Sequence, residues 1–94
     1  MDKEFLDKVL EQIISETIVD YDKGVIQFPF CLTSHNSFSL VSGITFSFTS
    51  FCVSSFVLIT PFFRYCKEVF KLNKSNINYV WDLYINNIKD KIDG

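Results

Sequence analysis

Apolar residues recur at steps of three and four at the start of the chain. Acids and lysines separate them, and Asp2 is suited to cap the first turn. This pattern predicts an amphipathic helix over residues 3–17. The β-branched Thr17, Ile18 and Val19 and the turn-forming run 22–24 then end it. The apolar positions are Phe5, Leu6, Val9, Leu10, Ile13 and Ile14.

Two further segments in the second half of the chain follow the same period. Thr60 is a good N-cap and Pro61 is favoured at the first helical position, so a helix is predicted over 61–72. The polar run 73–76 is a break with a new cap, and a third helix follows it. Its apolar positions are Ile77, Val80, Trp81, Tyr84, Ile85, Ile88 and Ile92.

The middle of the chain has a different period, because apolar residues occupy nine of the twelve even positions from 26 to 48. Alternation of this kind is typical of a strand with one buried face. The polar run 33–37 predicts a hairpin connection between two strands, and Pro29 predicts that the first strand lies at a sheet edge. Residues 51–59 are rich in β-branched and aromatic residues, which predicts a third strand.

These elements together predict an α+β fold: a helix, a three-stranded antiparallel sheet, and two helices packed on one face of that sheet. At 94 residues the chain is expected to form a single domain over 1–94. An all-α alternative stays open, in which a single membrane span lies near 40–63. Under that alternative the bases that follow the span put the C-terminus on the cytosolic or mitochondrial matrix side.

The charge distribution is as uneven as the hydrophobic pattern. From Val25 to Phe63 the chain has no acidic or basic residue for 39 positions, although it holds nine of the eleven Phe and twelve Ser or Thr there. The first 24 residues carry seven acids against three lysines. No clustered basic face is evident, which argues against nucleic-acid binding. The three cysteines cannot all pair within the chain and match no zinc or redox spacing, which favours a reducing compartment. We expect a cytoplasmic location, with the membrane location as the alternative.

Candidate chemistry is sparse. Cys31 and His35 are four residues apart, but no third group is assigned to orient the imidazole, so a catalytic pair is not predicted. Asp20, Asp22 and Gly24 resemble the opening of a calcium loop, but the glycine comes one residue early and the final Glu is missing. We therefore expect no enzyme activity, no metal and no cofactor.

The odd-numbered face of the predicted sheet is neutral and short, whereas exposed faces commonly carry Lys, Glu and Arg. Such a face is suited to contact, because interface centres are depleted of charge. The sequence therefore predicts a small non-enzymatic protein-interaction module, such as an adaptor, inhibitor or immunity-type factor of microbial or viral origin. Its partner is another protein or a second copy of itself. The alternatives are a single-pass accessory subunit of a membrane complex, and helices that cover both sheet faces. The predicted interaction residues are Gln27, Ser37, Ser39, Val41, Thr45, Ser47 and Thr49 on the sheet, with Glu11, Asp20 and Asp22 as the acidic part.

Overall fold

The computed structural model describes residues 3–30 and 44–93. Helix α1 comes first and is followed by two strands, and a third strand leads into a series of helices. The bounds are α1 Lys3–Glu16, β1 Ile18–Asp20, β2 Val25–Gln27, β3 Thr45–Ser47, α2 Phe48–Ser54, a 3₁₀ helix Ser55–Leu58, α3 Ile59–Val69 and α4 Lys74–Asp93.

The predicted α+β class is confirmed: a helix, a three-stranded antiparallel sheet and then helices. The strand order is β1-β2-β3, so β2 is the central strand. Its Ile26 lies opposite Val19 on one side and Phe46 on the other. Between β1 and β2 the chain turns over residues 21–24, where Gly24 has a φ of +67° that suits glycine.

Helices α1 and α4 confirm the spacing seen in the sequence. In α1 the predicted positions Leu6, Val9 and Ile13 are buried. In α4 the buried positions are Ile77, Val80, Tyr84, Ile85 and Ile88. Asn73 caps α4, since its side-chain oxygen accepts a hydrogen bond of 2.9 Å from the Asn76 backbone nitrogen. Both helices therefore face the core as their sequences predict.

The predicted third strand over 51–59 is wrong, because that segment is helical. The buried residues Phe51 and Leu58 of this segment, and Phe62 shortly after it, are separated by seven and four residues, which is the spacing of one helix face. Ser47 starts this helix by accepting a hydrogen bond of 3.1 Å from the Ser50 backbone nitrogen. Helical periodicity and a good N-cap thus override the β propensity of the β-branched residues.

The helix predicted over 61–72 begins earlier and ends earlier, at Ile59 and Val69. Thr60 is not its cap, since the helix continues from the preceding 3₁₀ turn over Ser55–Leu58. Pro61 lies in the first turn of α3 and lacks an N–H to donate to the carbonyl four residues back. The tighter 3₁₀ turn ends at Leu58, directly before α3. Proline here marks a local change of helix type within a longer helical segment.

The strand that precedes Pro29 is not at the edge of the sheet as predicted, because β2 ends at Gln27 and is the central strand. The sheet still has three strands, because β1 takes the place of the strand predicted over 51–59. Strand β1 lies where the sequence predicted only the end of a helix. Pairing with the β3 side continues past Pro29, as Phe28 donates to the Ile44 carbonyl at 2.8 Å and Ile44 donates to the Phe30 carbonyl at 2.9 Å. The missing N–H of Pro29 therefore faces the β1 side of the sheet. No ladder bond is lost there, because the pairing of β1 with β2 ends at Ile18 and Gln27.

A cluster of aromatic rings holds the sheet to the helices. The Phe62 ring lies 5.3 Å from Tyr84 and 5.0 Å from Trp81, and the Phe30 ring lies 5.7 Å from Phe62. Phe28 extends the cluster to the sheet at 6.5 Å from Tyr84. Phe28 and Phe30 follow directly after β2, so the cluster connects the end of the central strand with α3 and α4.

Among the described residues, one helical segment is long and apolar enough to cross a membrane by length and composition. It is the continuous run Phe48–Val69 of 22 residues, formed by α2, the 3₁₀ turn and α3. Its buried residues Phe51, Leu58, Phe62 and Cys66 belong to the core.

Candidate interaction surfaces

The three strands display six side chains on the face that points away from the core. Directly opposite residues in an antiparallel ladder share a face, and so do residues two apart along a strand. Ile18, Gln27 and Thr45 form one row across the sheet, and Asp20, Val25 and Ser47 form the next. We call these six residues the outer sheet face.

Ile18 on this face is 56% exposed, and Thr45 and Ser47 are also exposed. Val25 and Gln27 are half-buried. Within residues 3–30 and 44–93 the helices therefore cover only the opposite face, which holds Ile26. The alternative that helices cover both faces of the sheet is wrong for this part of the chain. The outer sheet face has one charged residue, Asp20.

The structure brings together three of the predicted sheet residues, Gln27, Thr45 and Ser47. Thr49 is exposed but lies in α2, because the chain becomes helical at Phe48. The remaining three, Ser37, Ser39 and Val41, lie outside the described residues, as does the predicted hairpin connection. Sequence reasoning missed Ile18 and Asp20 as members of this face, because β1 was not predicted. It placed Val25 on the odd-numbered face of the sheet but not among the interaction residues.

The three predicted acidic positions are divided between different elements. Glu11 is exposed on α1, whereas Asp20 belongs to β1 and Asp22 to the turn that follows it. Asp20 accepts a hydrogen bond of 3.1 Å from the Lys23 backbone nitrogen and so stabilises that turn. Only Asp20 is shared by the acidic group and the outer sheet face.

A second surface was not predicted from the sequence at all. Four apolar residues between Val53 and Ile59 are exposed: Val53 at 71%, Phe56 at 66%, and Val57 and Ile59 at 38% each. We call them the apolar ridge. The signal was available, since Phe51, Leu58 and Phe62 account for the buried face of a helix and leave Val53 and Phe56 on the other side.

Two polar contacts, one buried and one at the surface, link the end of the first helix to the later helices. Thr17 donates to the Ile13 carbonyl at 2.8 Å, so its contact of 2.6 Å with the Tyr84 hydroxyl is one in which Tyr84 donates. Tyr65 donates to a Glu16 carboxylate oxygen at 2.9 Å. Burial, followed by the hydrogen bond and charge of Glu16, raises the pKa of Tyr65, and burial raises the pKa of Tyr84. These contacts hold neutral phenols and join elements of the fold.

The thiols of the described residues do not form a reactive centre. Cys66 is fully buried, and desolvation raises its pKa to about 12, so it stays protonated and unreactive at neutral pH. Cys52 is exposed. Cys31 and His35 lie outside the described residues. No cluster of three potential metal ligands occurs within residues 3–30 and 44–93.

Comparisons of the chain with protein-family models, with curated proteins and with solved structures give no match.

Proposed function

We propose that this chain is a small non-enzymatic interaction protein that binds a protein partner through the outer sheet face. The observation that carries the proposal is the exposure of Ile18, Thr45 and Ser47 on that face among the residues that the structure describes. Ile18 is more than half exposed while the opposite face holds the fully buried Ile26.

The composition of the face supports this role. Ile18 and Val25 supply apolar area, and Gln27, Thr45 and Ser47 supply short hydrogen-bonding groups. Interface centres combine these properties, because long charged side chains are costly to desolvate. The face is neutral except for Asp20.

The acidic first helix contributes at longer range. Four acids against two lysines make α1 net negative, and Glu11 lies on its exposed side. Charges at the rim of an interface raise the rate of encounter with a complementary partner more than they raise affinity. We therefore expect the partner to be basic near its binding surface.

The test places a photo-crosslinking amino acid at Ile18 and exposes the purified protein to extract of the organism that carries the gene. We expect a discrete crosslinked species that disappears when Thr45→Lys is introduced into the same chain. The matched control is Asn86→Lys, which adds the same charge at an exposed position of α4. Crosslinking that survives Thr45→Lys, or that fails equally with Asn86→Lys, contradicts the proposal.

The same variants test whether the partner is a second copy of the chain. Sedimentation velocity of the purified protein at increasing concentration measures self-association. Self-association that Thr45→Lys weakens and Asn86→Lys leaves unchanged identifies the outer sheet face as a homodimer interface.

A second candidate function is a single-pass accessory subunit of a membrane complex. The observation that favours it is the 22-residue length of the apolar Phe48–Val69 segment. Insertion would have to remove Phe51, Leu58, Phe62 and Cys66 from the core they share with α4. Expression without detergent distinguishes the two functions, since a protein that stays soluble at micromolar concentration is not a single-pass subunit.

A further inference from the structure

The apolar ridge is an unusual surface for a small domain. Val53 and Phe56 each have two thirds or more of their surface exposed, and Val57 and Ile59 continue the exposed apolar area along the same segment. Contiguous exposed apolar patches mark sites that contact another protein or a membrane. The ridge lies on the helices that follow β3 and is separate from the outer sheet face.

Basic residues follow the ridge along the same side of the segment. Steps of three, four and seven residues lead from Val53 through Phe56 and Thr60 to Lys67, and all four are exposed. Lys71 lies just past the end of α3 and is also exposed. This side of the segment therefore passes from apolar to basic.

The charge near the ridge is opposite in sign to that of the chain as a whole. Between Phe48 and Lys71 there are three bases, Arg64, Lys67 and Lys71, and one acid, Glu68, whereas the chain carries a net charge of −2. The surface beside the ridge thus complements an anionic partner, and the acidic α1 does not.

We propose that the apolar ridge docks on the surface of an anionic phospholipid bilayer. Phe56 and Val53 enter the boundary between headgroups and acyl chains, and Lys67 and Lys71 contact the anionic headgroups. A bilayer accepts a convex helix surface without a matching groove, and apolar residues next to bases form the pattern of interfacial membrane helices. This inference concerns a different surface from the one in the proposed function and does not depend on it.

The attachment is peripheral and does not span the bilayer. The face of the segment opposite the ridge packs in the core, where Leu58 and Phe62 are fully buried. Only a shallow insertion leaves those contacts intact. With four apolar side chains and two surplus charges, we expect reversible binding that weakens as salt is added.

The test measures co-sedimentation of the purified protein with extruded vesicles of phosphatidylcholine alone and with 30% phosphatidylserine. We expect stronger binding to the phosphatidylserine vesicles by about fivefold for each basic residue that reaches the surface. We also expect the emission of a Phe56→Trp variant to shift to shorter wavelength with these vesicles only.

Two double variants separate the apolar contribution to vesicle binding from the electrostatic one. Val53→Ser with Phe56→Ser should abolish binding, and Lys67→Glu with Lys71→Glu should remove the preference for phosphatidylserine. The controls make the same changes at exposed sites elsewhere: Ile18→Ser with Leu83→Ser, and Lys3→Glu with Lys8→Glu. Circular dichroism and thermal melting verify that each variant folds.

Three results would overturn the proposal. The first is no binding of the folded wild type to either vesicle. The second is equal loss of binding in the ridge and control variants. The third is a ridge that crosslinks to a second copy or to another protein from position 53 without binding vesicles, since it would then be a protein interface.

Discussion

The charge-free run from Val25 to Phe63 contains two regions of similar composition and different structure. In the first, Ile26, Phe28 and Phe30 are buried at every second position and lead into the sheet core. In the second, burial falls at Phe51, Leu58 and Phe62, and Phe56 between them is 66% exposed. Phenylalanine and hydroxyl residues are abundant in both regions, so composition alone does not set the backbone.

What separates the two regions is the period of the apolar positions together with the local start signal. Ser47 ends β3 on one side and caps α2 on the other. Before Ser47, the buried residues Ile26, Phe28 and Phe30 are two positions apart. After Ser47, the buried residues Phe51, Leu58 and Phe62 have helical spacing. The consequence for function is that an exposed Phe in the second region lies on a helix surface, where the apolar ridge forms.

The largest expected effect comes from adjacent lysine substitutions in the second region. Leu58→Lys buries a charge in the core and should lower the free energy of unfolding by more than about 4 kcal/mol. Val57→Lys at the exposed neighbour should change it by less than about 1 kcal/mol. Urea unfolding measures both. Similar losses in the two variants would contradict the helical period of this segment.

Truncation of one phenylalanine from each region gives the next largest contrast. Phe28→Ala removes a fully buried ring and should cost about 3–5 kcal/mol of unfolding free energy. Phe56→Ala removes an exposed ring and should stay within about 0.5 kcal/mol of the wild type. The difference between the two urea midpoints is the measurement. A cost for Phe56→Ala close to that of Phe28→Ala would show that the ridge is covered.

The junction between the regions gives a smaller effect. Ser47→Ala removes the side-chain oxygen that accepts from Ser50 and should cost about 1 kcal/mol of unfolding free energy. Thr49→Ala is the control, because it removes a hydroxyl two residues later in the same turn that does not cap the helix. Thermal melting of both variants suffices. An unchanged melting temperature of the Ser47→Ala variant would show that the Ser47 side chain does not stabilise the start of α2.

Alkaline pH should destabilise the protein through α3, the helix in which the second region ends. Burial raises the pKa of Cys66 from its usual 9.0 to about 12, and the pKa of Tyr65 is raised as well. The folded state therefore keeps protons that the unfolded state loses, and stability is full below pH 9 and falls as pH rises toward 12. Urea unfolding between pH 7.5 and 11 measures the slope. Tyr65→Phe should flatten it, and stability that does not change across this range argues against the burial of these groups.

The sequence predicted the parts of the fold where period and propensity agree. In α1 and α4 the apolar spacing, the caps and the polar faces all favour a helix, and the structure confirms both. The α+β class was predicted for the same reason, since apolar residues alternate clearly at Ile26 and Phe28. The prediction of secondary structure failed at 51–59, where β-branched residues favour a strand while Phe51, Leu58 and Phe62 have the spacing of a helix.

Short elements were the other source of error. Strand β1 has three residues, and its β-branched Ile18 and Val19 were interpreted only as the end of α1. Its pairing with β2 depends on contacts across the turn that no local pattern reveals. The outer sheet face was therefore predicted in part, through Gln27, Thr45 and Ser47. The apolar ridge could not be predicted once its segment had been taken as a strand.

Backbone NMR chemical shifts over residues 44–69 in plain buffer test most directly whether the chain changes from strand to helix at Ser47. We expect strand-type shifts at Thr45–Ser47 and an abrupt change to helical shifts from Phe48 to Val69. Strand-type shifts that continue through residues 51–59, or helical shifts that begin as early as residue 44, would contradict it.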